Sequence, residues 1–136
     1  MKIVSDPYRD YDRFYFRLKD EYDKYGELII AVDFDDTVFN THNNPGWCYH
    51  EVIKMLLRWQ DHAKIVCWTA SNEDRYDFIR SVFTAHGVRL DAINENVNGI
   101  ERRGPKIYAN VYIDDRSGGI DNVLKALDRL ALVSCF

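Results

Sequence analysis

Three carboxylates, Asp33, Asp35 and Asp36, and a hydroxyl, Thr37, follow directly on an apolar run from Leu28 to Val32. A run of this kind reads as a strand covered on both faces. Carboxylates at its carboxyl end then face a crevice, where they repel one another unless a cation or a shared proton relieves them. Two other apolar stretches end in a similar way. Ile65, Val66, Cys67 and Trp68 lead into Thr69 and Ser71, and Val111, Tyr112 and Ile113 lead into Asp114 and Asp115. In a parallel sheet such ends gather on one edge, so groups far apart in sequence can meet. A hard cation such as Mg2+ takes oxygen ligands and retains several waters. Asp33 with Asp114 or Asp115 is a ligand set of that kind. A metal held there would shield an incoming phosphate from the carboxylates and orient it for in-line attack. Asp33 could then act as a nucleophile and form an aspartyl-phosphate. Asp35, two residues along, would face nearly the same side and could protonate the leaving oxygen and later activate water. The Thr69 hydroxyl and the backbone N–H groups around residues 34–36 and Ala70 could take phosphoryl oxygens, with Lys106 as the cation balancing the transferred charge.

The elements that must position these groups can be read from periodicity and punctuation. Aromatic residues recur at helical spacing over 6–25, with Asp6-Pro7 as a start and Gly26 as a stop. Residues 28–33 form the first strand, 50–62 a helix with an apolar stripe, and 64–68 a second buried strand. Ser71 or Asn72 caps the next helix, whose inner face is Tyr76, Ile79, Val82 and Phe83. Residues 91–94 are a short strand, 95–105 a loop, 111–113 a fourth strand, and 121–131 a closing helix capped by Asp121. Alternating strands and helices imply an α/β fold with a parallel sheet joined by right-handed crossovers.

In their order and spacing these segments resemble the haloacid dehalogenase-like (HAD) phosphohydrolases. Asp33-Phe-Asp-Asp-Thr37 looks like their first motif, and Ile65 to Thr69 like their second, an apolar strand ending in Thr or Ser. Lys106 stands where the motif III lysine is expected, and Tyr112-Ile-Asp-Asp115 looks like the acidic fourth motif. The segments Asp91-Ala-Ile-Asn-Glu-Asn96 and Tyr112 to Arg116 narrow the likeness to a branch of small HAD hydrolases. The resemblance implies a three-layer Rossmann-like fold, with Asp33 as nucleophile, Asp35 as acid/base, and Thr69 and Lys106 as phosphoryl ligands. It also implies Mg2+ bound by the Asp33 carboxylate, the Asp35 backbone carbonyl and Asp115, with Asp114 in support. That branch often carries an Arg just after the Thr of the second motif. Here Ala70, Ser71 and Asn72 follow, and Arg75 is the nearest. The segments after Thr37 and after Gly87 are too short for a folded cap domain. The loop 40–46 then serves as a local flap, where His42 or Asn43 could touch substrate. An open site suits a bulky phosphorylated substrate such as a polynucleotide end, a nucleotide or a phosphoprotein; alternatively, a neighbouring copy in a homo-oligomer could close it.

The chain of 136 residues fits one domain, 1–136, with residues 1–26 as a helical extension. A net charge of −4 argues against broad electrostatic binding to nucleic acid. Three cysteines without metal-ligand spacing read as reduced thiols, and no apolar stretch is long enough to span a bilayer, so a cytoplasmic protein is expected. Two other classes fit some of the same residues. A phospho-receiver signalling domain also uses an acidic pocket, a Thr and a Lys, although its acceptor normally lies on a middle strand. A non-catalytic module could retain the fold without the reaction.

Overall fold

Strand β1, Leu28–Val32, is buried at all five residues, as its unbroken apolar run requires. In the computed structural model, which describes residues 10–136, it lies inside a four-stranded sheet. β2 (Ala63–Cys67) and β3 (Ala92–Ile93) follow on one side of it, and β4 (Val111–Ile113) lies on the other, giving the order β3-β2-β1-β4. All pairings are parallel, with Ile30 opposite both Ile65 and Val111. The fold is α/β and Rossmann-like. The chain steps in one direction from β1 to β3, then crosses back past β1 to β4. That reversal makes the β1–β4 edge a topological switch point, where crevices open beyond the carboxyl ends of the strands.

Successive side chains of a strand point to opposite faces. Leu28, Ile30, Val32, Ile65, Cys67, Val111 and Ile113 enter the main core. Helices α1 (Tyr11–Tyr25), α2 (His50–Trp59), α3 (Tyr76–Ala85) and α4 (Ile120–Val133) supply its other side, with Leu18, Leu56, Trp59, Phe83 and Leu127 fully buried. Trp59 buries its ring and donates its indole N–H to Leu127 O at 3.1 Å, so the largest core side chain leaves no polar atom unpaired. The opposite face, Ile29, Ala31, Val66 and Ala92, is covered by Val97 and Ile107 from the segment 94–110. The cover on this face is therefore an irregular crossover, in keeping with the loop expected over 95–105.

The amino-terminal helix belongs to the body of the domain, since Tyr15 and Leu18 are buried in the main core. The expected start at Asp6-Pro7 falls outside the described residues. Asp10 caps the observed helix by accepting from the N–H of Arg13 at 3.0 Å, and Gly26, at φ 76°, turns the chain into β1. Two other caps differ from expectation. Glu73–Arg75 forms a 3-10 turn before α3, and the side chains of Ser71 and Asn72 do not cap it. α4 begins at Ile120 after Gly119, with Asp121 inside its first turn, where it favours the positive end of the helix. Among the described residues, no helix is long and apolar enough to cross a membrane.

Candidate functional site

Asp33 is the first residue beyond β1. Its N–H donates to Ile113 O at 2.9 Å, which prolongs the β1–β4 ladder by one step and fixes Asp33 at the switch point. The chain then doubles back. The N–H groups of Thr37, Val38 and Phe39 converge on Phe34 O at 3.3, 3.0 and 3.0 Å, and Asp36 takes the left-handed φ of 60°. An aspartate tolerates that conformation better than most residues. The turn returns Thr37, almost wholly buried, to the base of the acidic cluster. Its Oγ1 accepts from the Asp115 N–H at 3.0 Å and lies 3.1 Å from Asp33 Oδ2 and 3.2 Å from Asp115 Oδ1. One hydroxyl thus ties the end of β1 to the end of β4. Thr37→Val should leave the Asp115 N–H without its partner and lower stability by about 1–2 kcal/mol, read as a reduced urea midpoint; Thr37→Ser should recover most of the loss.

Carboxylate oxygens of Asp33, Asp114 and Asp115 lie within 4.8 Å of one another. Burial pushes the Asp33 carboxyl up to about 7, and the charges of Asp114 and Asp115 add to this, while the Thr37 hydrogen bond pulls it down. The cluster holds more negative charge than the protein itself neutralises. Oxygen-only donors from two adjacent strands, with excess negative charge, fit a hard divalent cation such as Mg2+.

Beyond β2, Thr69 is gripped from β3. Its N–H donates to Asn94 Oδ1 at 2.8 Å, and Asn94 Nδ2 donates to Thr69 O at 2.8 Å and to Tyr76 Oη at 2.9 Å. The Thr69 hydroxyl oxygen accepts from the Ser71 N–H at 3.1 Å, which leaves its proton to be given elsewhere. Asp33, Asp35, Thr69, Ala70, Asp114 and Asp115 all border one crevice of about 430 Å³. Asp36, His42, Trp68 and Arg116 complete its wall.

No family model matches the chain, and no curated protein matches it. Among solved structures the chain is similar to a conserved protein of Bacteroides thetaiotaomicron. The TM-score is 0.62 at 21% identity, over 76% of this chain and 91% of that one. This likeness is one of fold.

Not every expected residue reaches the crevice. Lys106 stays outside it, with Nζ 4.7 Å from the centroid of the Tyr112 ring. It borders a separate cavity of about 960 Å³ against the second face of the sheet. The reason is local: residues 94–110 form no helix that could aim a lysine at the strand ends, and Tyr112 offers a cation–π partner on the face they cover. Of the two flap residues, His42 borders the crevice and pairs through Nδ1 with Asp36. Asn43 is held at the flap turn, its N–H donating to Asn40 Oδ1 at 3.0 Å, and does not border the crevice. Asp36 itself acts as the anchor of the flap. It accepts from the N–H groups of Thr41 at 3.0 Å and His42 at 3.3 Å.

Asp35 is more constrained than a free acid. Burial pushes its carboxyl up, but hydrogen bonds from Arg75 and Thr41, together with the Arg75 charge, outweigh burial and hold it below the usual carboxylate range. Arg75 Nη1 lies 2.8 Å from Asp35 Oδ1 and 2.7 Å from Oδ2, and the Thr41 hydroxyl donates to Oδ1 at 2.6 Å. Beneath the site, burial pushes the Cys67 thiol up to about 12, so it is core and no nucleophile. Arg75, Asn94 and Thr37 had no assigned role in the sequence reading. Asn94 ends the third strand, so the rule that polar residues at strand ends converge marks it. The sequence marks Arg75 only as the arginine nearest the second motif, because its reach across to Asp35 depends on the 3-10 turn that carries it.

Proposed function

We propose that this chain is a Mg2+-dependent phosphomonoester hydrolase working through an aspartyl-phosphate on Asp33. The observation that carries the reading is the meeting of the Asp33, Asp114 and Asp115 carboxylates at the β1–β4 switch point, in a crevice that Thr69 also borders. An Asp33 oxygen attacks phosphorus and the bond from phosphorus to the leaving oxygen breaks. Asp35, carrying the proton it took from water in the preceding turnover, gives it to that oxygen. In the second half, Asp35 takes a proton from water as water attacks the phosphorus, and the Asp33 carboxylate is restored. The Thr69 hydroxyl proton and the N–H of Ala70 suit the phosphoryl oxygens. Mg2+, held by the carboxylates of Asp33, Asp114 and Asp115 and by the Asp35 carbonyl, would supply the positive charge that lets a phosphate dianion approach.

The crevice is bordered by a short flap, tied by the Phe39–Cys48 bridge, rather than by a folded cap. That openness favours a bulky phosphorylated substrate, either a polynucleotide end or a phosphoprotein. The test is catalytic release of phosphate from p-nitrophenyl phosphate with Mg2+, followed by a panel of nucleotides, sugar phosphates, phosphopeptides and 3′- or 5′-phosphorylated oligonucleotides. Many turnovers per chain, abolished by EDTA, are expected. A single retained phosphate per chain would instead mark a phospho-receiver. No phosphate transfer from any ester would leave a non-catalytic module.

A further inference from the structure

The reaction proposed above needs a dianion to enter a crevice bordered by five carboxylates, and Lys106 lies elsewhere. Two arginines and a histidine stand near the crevice. His42 is engaged by Asp36, Arg116 borders the opening with an exposed side chain, and Arg75 is bound to Asp35. We propose that Arg75 is the phosphate-binding cation of this site, parked on Asp35 until a phosphoryl group takes it over; this rests on the phosphotransfer reading.

Among the described residues, the Arg75 side chain makes its hydrogen bonds through one nitrogen. Nη1 reaches both oxygens of Asp35 and, at 2.9 Å, Ser71 Oγ. Among the described residues, Nε and Nη2 bond to nothing, so the edge of the guanidinium that best matches a phosphate in bidentate fashion is unused. The group rests against two rings, its Cζ 5.3 Å from the Phe34 centroid and 5.7 Å from that of Phe78. These rings hold the charge in place without consuming a donor. The Ser71 contact sets Arg75 beside the loop that carries Thr69, a phosphoryl ligand in the same reading.

Asp35 cannot serve a leaving oxygen in this state, because Arg75 holds both of its oxygens and Thr41 holds one of them again. A phosphate dianion offers Arg75 twice the charge of a carboxylate and more acceptor oxygens. Its arrival would draw the guanidinium off Asp35. Binding and the freeing of the acid/base would then be one event.

The measurement is calorimetric binding of inorganic phosphate and of orthovanadate, each with Mg2+ present. Arg75→Gln should weaken both by about 10- to 100-fold, with Arg75→Lys in between and melting confirming the fold of each. Asp35→Asn should bind several-fold more tightly than wild type, since the competitor for Arg75 is weakened, and this gain should vanish in the Arg75→Gln background. Should Arg75→Gln not fold, Arg75→Lys, which keeps the charge and loses the fork, is the variant read, and at least threefold weaker binding is expected. Unchanged binding in a folded Arg75 variant overturns the proposal, all the more if Arg116→Gln loses binding instead. A gain in Asp35→Asn that persists without Arg75 overturns the exchange, because it would reflect simple relief of repulsion. Wild-type protein that binds neither anion overturns this proposal together with the phosphotransfer reading.

Discussion

Asp33→Asn is expected to abolish phosphate release and to make the metal-free protein more stable. The activity loss should be on the order of 10⁴-fold or more, as for removal of a covalent nucleophile. The gain in stability has a different origin. Burial and the charges of Asp114 and Asp115 push the Asp33 carboxyl up to about 7, so at neutral pH its ionised form is held against an adverse field. In a sealed site such a displacement would amount to about 4 kcal/mol. Asp33 is only half buried, and solvent screening reduces this to about 1–2 kcal/mol. An asparagine removes the charge and keeps an oxygen that can accept from Thr37. The melting temperature without metal should therefore rise by about 3–8 °C. Loss of activity with a rise in melting separates a functional carboxylate from a structural one. Undiminished turnover would remove Asp33 from the reaction, and a lower melting temperature would refute the electrostatic account.

Much of this site was legible in the sequence because it depends on strand ends. Apolar runs name the buried strands, and in a parallel sheet the next residues must share an edge. That logic places Asp33, Thr69, Asp114 and Asp115 in one crevice before any coordinates exist. It fails where the backbone departs from an element. Lys106 sits in residues 94–110, which lack a period from which a direction could be read, and it turns to Tyr112 on the far face of the sheet. The same segment was legible as a loop from its Asn, Gly and Pro residues, but a loop carries no direction for its side chains. Asp35 shows a second limit. Its position follows from spacing, but its state is set by Arg75, forty residues away, and by Thr41 on the flap. Side-chain reach over such separations leaves no periodic trace.

Stability without metal should fall as pH rises from the ordinary carboxylate range to about 7. Asp33 is the group responsible. Its folded pKa lies above its unfolded value, so between the two the native state keeps a proton that the unfolded chain has released. The adverse contribution is absent below about 3.8 and complete above about 7. Asp35 and Asp36 are shifted the opposite way, and the stability they bring is lost only as pH falls below the usual carboxylate range. The two windows therefore do not mask each other. Mg2+ needs the ionised carboxylate and competes with the proton. At about 100-fold above its dissociation constant it should stabilise the protein by about 2.7 kcal/mol at pH 8, and by much less at pH 5. Thermal melts with and without Mg2+ at the two values give the comparison directly. Asp33→Asn should flatten the slope between pH 5 and 7 and diminish the Mg2+ shift at pH 8. An Mg2+ shift equal at both pH values, or unaltered by that substitution, would mean that the cation binds somewhere other than the carboxyl ends of β1 and β4.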